Sequence, residues 1–332
     1  MLSAGRNKLF CLIVLTFLVL LGFLFWHLFS LMKTPMIQKD QKSVIITLDK
    51  SASAYQFARL LKEKELIPSV KLFVYLVRAK GLAHQLKAGV YQIIPGESAT
   101  ELLDRIVEGD VITQNFSIIA GTTQEKIAQD LAKAPYLMYD PKDWALIQEN
   151  HANAEGLLLA DTYQYSGGSS SKTLLLQANR NLKQYLDELW AHRAPNLPYK
   201  SPYDMLIAAS IIEKETAIPE ERKLIAGVMT NRIKKGMPLQ MDPTVIYGLG
   251  KIYKGKLSHK DLQIDSPYNS YRYRGLPPTP IAMIGKEALE AAAHPQSSNY
   301  LYFVAKGDGS HQFSETYEQQ RKAVYQYQRK DL

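Results

Sequence analysis

Glu213 stands out as an acid in an otherwise apolar pattern. On a helix ended by Pro219 and turning about 100° per residue, Leu206, Ala209, Thr216 and Ala217 fall within roughly 60° of it. A carboxyl among such side chains loses hydration of its charged form, which favours holding a proton, the state from which a general acid starts. Glu215 projects the other way, beside Asp204, Ala208 and Ile211, and a solvated Glu-Lys-Glu run on a helix surface is the alternative reading. Carboxyl chemistry on a glycosidic bond commonly uses two such groups. Asp161, Glu215 and Asp242 are the available seconds, and their spacing selects none of them.

The aromatic composition points to a sugar as the reacting partner. Tyrosine dominates, with 20 residues against 10 Phe and 3 Trp, and Tyr247, Tyr253, Tyr268, Tyr271 and Tyr273 crowd the stretch after Glu213. A tyrosine joins a flat apolar face to a hydroxyl, matching a sugar ring with one apolar side and a polar edge. With Gln240, Asp242 and Asn269 among them, this stretch reads as a glycan groove in which some tyrosines serve only as packing. Other chemistries lack residues. None of the seven histidines forms HExxH, no GxSxG elbow occurs, and no glycine-rich phosphate loop follows a strand. Neither a metal nor a cofactor is expected. Cys11, the only cysteine, lies in an apolar segment and supplies no disulfide framework. The formal charge of +8 is a modest excess over 332 residues, without an arginine-rich stripe, so nucleic acid is excluded as a partner.

These residues must be positioned by a chain that begins apolar. Leu9–Met32 contains no Lys, Arg, Asp or Glu and as a helix spans about 36 Å, the length of a membrane crossing. A cleaved signal peptide would have a shorter apolar core of about 7 to 15 residues and a small-residue cleavage site, so an anchor is expected. Arg6 and Lys8 before it are balanced by Lys33, Lys39 and Lys42 after it once the terminal amine is counted, leaving orientation open. Beyond a polar linker, 33–43, three stretches align without gaps: Ile46–Leu61, Gln92–Val107 and Ser117–Ala132 each run from a β-type segment through a turn into an amphipathic helix. Ser98 with Glu101 and Thr122 with Glu125 read as capping boxes. A further helix, Ser69–Ala79, gives the order β-α-α-β-α, which resembles a LysM-type module that binds N-acetylated glycans. A bare spacer is the competing view.

The remainder reads as mostly helical from Asp140 to Asp187, broken by a loop at Glu155–Ser171. Helices follow at Lys172–Ala191, around Glu213, and at Glu220–Lys235. Asp242-Pro243 and Gly248–Gly250 read as turns, and Pro267–Gly285, rich in Pro, Gly and Asn, as a surface loop built for contact. A short helix (Lys286–Ala293), a hairpin around Lys306–Gly309 and a final helix (Glu315–Lys330) close the chain. The fold class expected is α+β: an amino-terminal tail (1–8), a single transmembrane helix (9–32), the linker (33–43), a small LysM-like module (44–115) and a mixed catalytic domain (116–332) with a helix-borne glutamate.

ASIIEKET (Ala209–Thr216), NRIKKGMPLQMDPTVIYGLG (Asn231–Gly250), PYNSY (Pro267–Tyr271), GLPPTPIA (Gly275–Ala282), AAAHP (Ala291–Pro295) and YLYFVAKGDGSHQF (Tyr300–Phe313) resemble the endolytic murein transglycosylase, or YceG-like, family. With the anchor, the similarity covers essentially the whole chain. One departure is Ala160 in EGLLLADTY, where the family usually has proline, which loosens the turn before Asp161. The resemblance implies a lyase of the bacterial inner membrane, amino terminus inside and catalytic domain in the periplasm. Such an enzyme cuts peptidoglycan between N-acetylmuramic acid and N-acetylglucosamine to give 1,6-anhydromuramyl ends. Its catalytic glutamate maps onto Glu213, with Gln240, Asp242, Tyr247, Asn269 and Tyr271 as candidate substrate contacts. Peptidoglycan strands, the membrane and peptidoglycan synthases would be its partners. A hydrolase using the same glutamate, or a tethered glycan-binding protein without turnover, are the rivals.

Overall fold

The computed structural model describes residues 2–328, with side chains from residue 12 onward except that of residue 28. Of the amino-terminal tail, residue 1 lies outside the described residues, as do 329 and 330 of the expected final helix. Helix α1 (Leu2–Lys33) carries an apolar window, Leu12–Lys33, with mean hydropathy 2.5, long enough to cross a membrane.

The chain forms two units, one built from 1–114 with 135–138 and 165–169, the other from 115–134, 139–164 and 170–332. In the first, β1 (Val44–Leu48), α2 (Ala54–Glu63), α3 (Val70–Ala79), β2 (Gly89–Ile93) and α4 (Ala99–Glu108) follow the expected order. Strands β1 and β2 pair antiparallel, Ile46 opposite Tyr91, and alternation along β1 buries Ile46 and Leu48 while exposing Ile45. Their inner face meets Phe57 and Phe73, packed edge to face at 5.6 Å, and Leu102, Leu103 and Ile106 of α4. Ser98 and Glu101 form the expected capping box, and Ser53 with Gln56 forms another on α2. The last turn of α1 packs on α3 and α4, where the Thr100 hydroxyl donates to Met32 O at 3.2 Å.

In the second unit the elements are α5 (Gln124–Leu131), a short α6 (Ala145–Gln148), α7 (Ser171–His192), α8 (Pro202–Glu215), α9 (Pro219–Lys234), α10 (Asp242–Leu249), α11 (Lys286–Ala293), the hairpin β5 (Tyr302–Ala305) and β6 (His311–Ser314), and α12 (Tyr317–Gln328). Strands β3 (Thr113–Ser117) and β4 (Thr162–Ser166) form a separate two-stranded sheet. Helix α8 is the axis of the second unit. Every residue from Met205 to Ile212 is buried, because α7, α9, α10 and α11 surround it, the expected place for a helix apolar on all sides.

Four sequence expectations need correction. The α5 cap is Thr123, whose hydroxyl accepts from Lys126 N–H, whereas the Thr122 hydroxyl donates to Ile119 O. The region before α7 contains only a 3₁₀ turn and one short helix, and β4 occupies part of the stretch read as loop. Asp242-Pro243 starts helix α10, proline at a first-turn position needing no N–H bond. Finally, the segment read as a surface loop turns inward: Thr279–Ile284 is buried. Ile281 N–H donates to the Ser210 hydroxyl of α8, and Met283 exchanges backbone bonds with Gly121 and Thr122.

Candidate active site

That buried segment positions the site. Met283 is tied to the 119–122 turn, and Ala160 N–H donates to Ile284 O at 2.9 Å, so two loops are held against one extended strip that ends at Gly285. The strip lies along α8 and delivers the Gly285 N–H to the last turn of that helix. There it donates to Glu213 Oε2 at 3.0 Å. A Cβ on Gly285 would stand 3.3 Å from the same oxygen, so the glycine permits this approach.

The other oxygen of Glu213 is served from α9. Thr216 leaves the helix in an extended conformation and its hydroxyl accepts from Ile218 N–H at 3.0 Å, closing a tight corner that starts α9 at Pro219. One turn later Arg222 reaches back, donating from Nη2 to Glu213 Oε1 at 3.2 Å and from Nη1 to Glu287 Oε2 at 2.5 Å. Side-chain exposure is 5% for Glu213 and 13% for Arg222, so the pair is charge-assisted and mostly withdrawn from water. This corrects the expectation of a glutamate among small or apolar neighbours alone. The helical face was right about Leu206 and Ala209, both buried, but blind to an arginine from the next helix.

Glu213 opens onto a cleft of about 550 Å³ whose walls include Ile119, Ala120, Asp161 and Thr162. Of the three candidate second carboxylates only Asp161 lines this cleft; its backbone carbonyl is tied to Ile118 N–H at 2.9 Å. Glu215 and Asp242 lie elsewhere. Burial, with the Asp242 charge adding to it, pushes the Glu215 carboxyl up to about 8, against the opposing pull of Arg232, and its Oε2 is buried with no hydrogen-bond partner among the described residues.

The predicted contact residues divide. Tyr271 donates to Asp242 Oδ1 at 2.5 Å, and Gln240, held at a φ of 53°, accepts from Arg232 Nη1 at 3.2 Å. None of these three lines the Glu213 cleft. Asn269 is fully buried and its amide donates to Leu262 O and Ile264 O, so it shapes a loop and does not face a cleft. Tyr247 lines a second, larger cleft of about 800 Å³.

Sequence reasoning missed Arg222, Gly285 and the carboxyl inside that larger cleft, Glu155. Glu155 accepts from Gln124 N–H at 2.9 Å and from the Tyr247 hydroxyl at 3.3 Å, and burial raises it to about 7. It opens the EGLLLADTY motif, the one signal that could have marked it. No three His, Cys, Asp or Glu side chains converge as metal ligands among the described residues.

Comparison with known proteins adds identity to this geometry. Residues 46–326 match the model of the YceG-like family. A Bacillus subtilis protein named endolytic murein transglycosylase is 33% identical over 320 residues, 88% of this chain and 87% of that protein. A Streptococcus pneumoniae protein of the same name is 27% identical over 82% of this chain, which spans 56% of its length. The 2.6 Å crystal structure of a YceG-like protein from Listeria monocytogenes superposes with a TM-score of 0.53, at 31% identity, over 85% of this chain and 99% of its own. The chain therefore belongs to the YceG-like family.

Proposed function

We propose that this chain is a membrane-anchored endolytic murein transglycosylase, with Glu213 as its acid and base. The observation that carries the reading is the placement of Glu213: a buried carboxyl at the wall of a cleft, each oxygen facing an N–H donor, in a chain similar over most of its length to proteins of that name. In the cycle, protonated Glu213 gives its proton to the glycosidic oxygen, the bond to muramyl C1 breaks, and positive charge spreads over C1 and the ring oxygen. The carboxylate then takes the proton of the same sugar's C6 hydroxyl as O6 closes on C1. This leaves a 1,6-anhydro end and returns Glu213 to its acid form. Gly285 N–H and Arg222 donate to the two oxygens and fix the orientation of the carboxyl for both steps.

The amino-terminal apolar helix serves as an inner-membrane anchor in this reading, with the amino terminus cytoplasmic and the catalytic unit periplasmic. The β-α-α-β-α unit acts as a LysM-like glycan module. Its own cleft of about 410 Å³, between the turn at Lys50–Ala54 and the segment at Ala83–Leu86 and flanked by exposed Tyr55, supports that role. Peptidoglycan synthases are proposed as partners, since cleavage of nascent strands sets where synthesis ends.

One observation favours a rival: Asp161 shares the cleft with Glu213, as the second carboxylate of a hydrolase would. Mass spectrometry of digested strands separates the two. A transglycosylase leaves anhydro ends one water lighter than the reducing ends of hydrolysis, and predominantly reducing ends would replace this proposal with the hydrolase.

A further inference from the structure

The larger cleft of the catalytic unit has no part in the cycle above, yet it is built as a site. One wall is apolar, formed by Trp144, Ile246 and Tyr247, and the ring of Tyr247 is braced by Tyr268 at a centroid distance of 4.8 Å. Glu155 lines the same space although the residue is only 4% exposed. A charged group is rarely left so withdrawn without partners, and Glu155 is held by two, Gln124 N–H and the Tyr247 hydroxyl. The fixing is reciprocal, since the Gln124 side-chain oxygen accepts from Ala154 N–H at 3.1 Å. Gly156 is required beside it: its φ is +73°, and a Cβ there would lie 2.4 Å from Pro280 Cβ. A carboxylate has room for about four donors, so Glu155, which lines the cleft, retains acceptor capacity.

The position of this cleft is as informative as its lining. Glu213 lines the catalytic cleft, and the next residue of α8, Lys214, lines the larger one. The strip separating them is the 119–123 turn, with Ile119 and Ala120 facing one side and Thr123 the other. Lys214 Nζ donates to Gly121 O at 3.0 Å and fastens that turn. Two cavities that share one helix end and one turn suit a polymer with repeated units.

We infer that the Glu155 cleft is a second saccharide site, taking an N-acetylhexosamine unit of the strand being cut. Its ring would lie on the Tyr247 and Trp144 wall and its amide or hydroxyl donors would meet Glu155. The inference rests on the function proposed above. The chemistry favours a ring with one apolar face and several donors. A wholly apolar ligand would strip Glu155 of hydration without replacing it, whereas the donors of a sugar would meet it.

The test uses the full chain in detergent, carrying Glu213→Gln so that nothing is cleaved, titrated calorimetrically with tetra-N-acetylchitotetraose. Two further substitutions are compared: Glu155→Gln, which keeps shape and removes charge, and Ile246→Trp, which fills the cleft from its apolar wall. Thermal melting confirms that each remains folded. Both should weaken binding by about tenfold or more, the value of one to two charge-assisted contacts or of lost ring packing. Equal affinity in all three backgrounds overturns the site, as does binding of a free lysine-containing stem peptide in place of the tetramer, which would assign the cleft to an ammonium group. The function itself is judged separately, on the ends left by the chain with Glu213 intact. Anhydro ends with unchanged tetramer binding sink only the second site. Their absence with Ile246-dependent binding sinks the function and leaves a saccharide site.

Discussion

Glu213 and Glu215 leave the same turn of α8 and enter opposite surroundings. On one side Glu213 meets Gly285 N–H, Arg222 and an open cleft. On the other Glu215 meets Asp242, Arg232 and a packed interior where one oxygen finds no donor among the described residues. Burial is shared, so burial cannot be what distinguishes the candidate acid. What differs is what each carboxyl faces: Glu213 has a donor on each oxygen and an open cleft before it, whereas Glu215 is shut in and pushed towards remaining neutral. A perturbed carboxyl is not by itself a catalytic one.

Four substitutions probe that contrast, in decreasing order of expected effect. Glu213→Gln removes the transferable proton and should lower strand cleavage by about 10²- to 10⁴-fold, while Glu215→Gln stays within a few-fold of the parent when turnover is followed by release of soluble fragments. Comparable losses in both would erase the distinction. Arg222→Met takes away one of the two donors and leaves Glu213 buried beside an apolar side chain. Cleavage should fall about ten- to a hundredfold, and unfolding in urea should show a loss of about 3 kcal/mol, the scale for removing one partner of a buried pair.

Glu215→Gln should instead act on stability. With its folded-state pKa raised to about 8, the folded chain holds that proton more tightly than the unfolded chain, so the contribution is fully present below about pH 4.5 and is lost as pH rises towards 8. Unfolding free energies between pH 5 and 8.5 should therefore decline in the parent by up to a few kcal/mol more than in the variant. Glu155, raised to about 7, adds a decline of the same sign that the variant keeps. The smallest effect is expected from Gly285→Ala. Its φ of −84° tolerates a side chain, but the new methyl sits 3.3 Å from Glu213 Oε2 and must shift it by a few tenths of an ångström, costing under about 1 kcal/mol and roughly threefold in rate.

How much of this was legible in the sequence follows from which interactions are local. Period and caps placed β1, β2, α2, α3, α4 and α11, because alternation, Ser98 with Glu101, and the stripe Phe73, Leu76 and Val77 are all written within a few residues. Helical geometry separated Glu213 from Glu215 for the same reason. The partners of Glu213 were not legible: Gly285 is 72 residues away, and Arg222, although nine residues on, reaches it only because Thr216 closes the corner between α8 and α9. Proline and glycine in Pro267–Gly285 signalled irregular backbone correctly and exposure wrongly, since Ser210 and the Gly121–Thr122 turn supply the hydrogen bonds that let Ile281–Ile284 run through the interior. Asn269 illustrates the same limit, a polar residue in a tyrosine-rich stretch whose donors are taken up by backbone carbonyls.

The claim that one carboxyl acts first as acid and then as base is tested most directly by the ends it leaves. Purified glycan strands are digested with the parent and with Glu213→Gln, and the new termini are counted by mass spectrometry. 1,6-Anhydromuramyl ends should accumulate with the parent and stay at background with the variant. Reducing ends from the parent, or anhydro ends persisting in the variant, would contradict it.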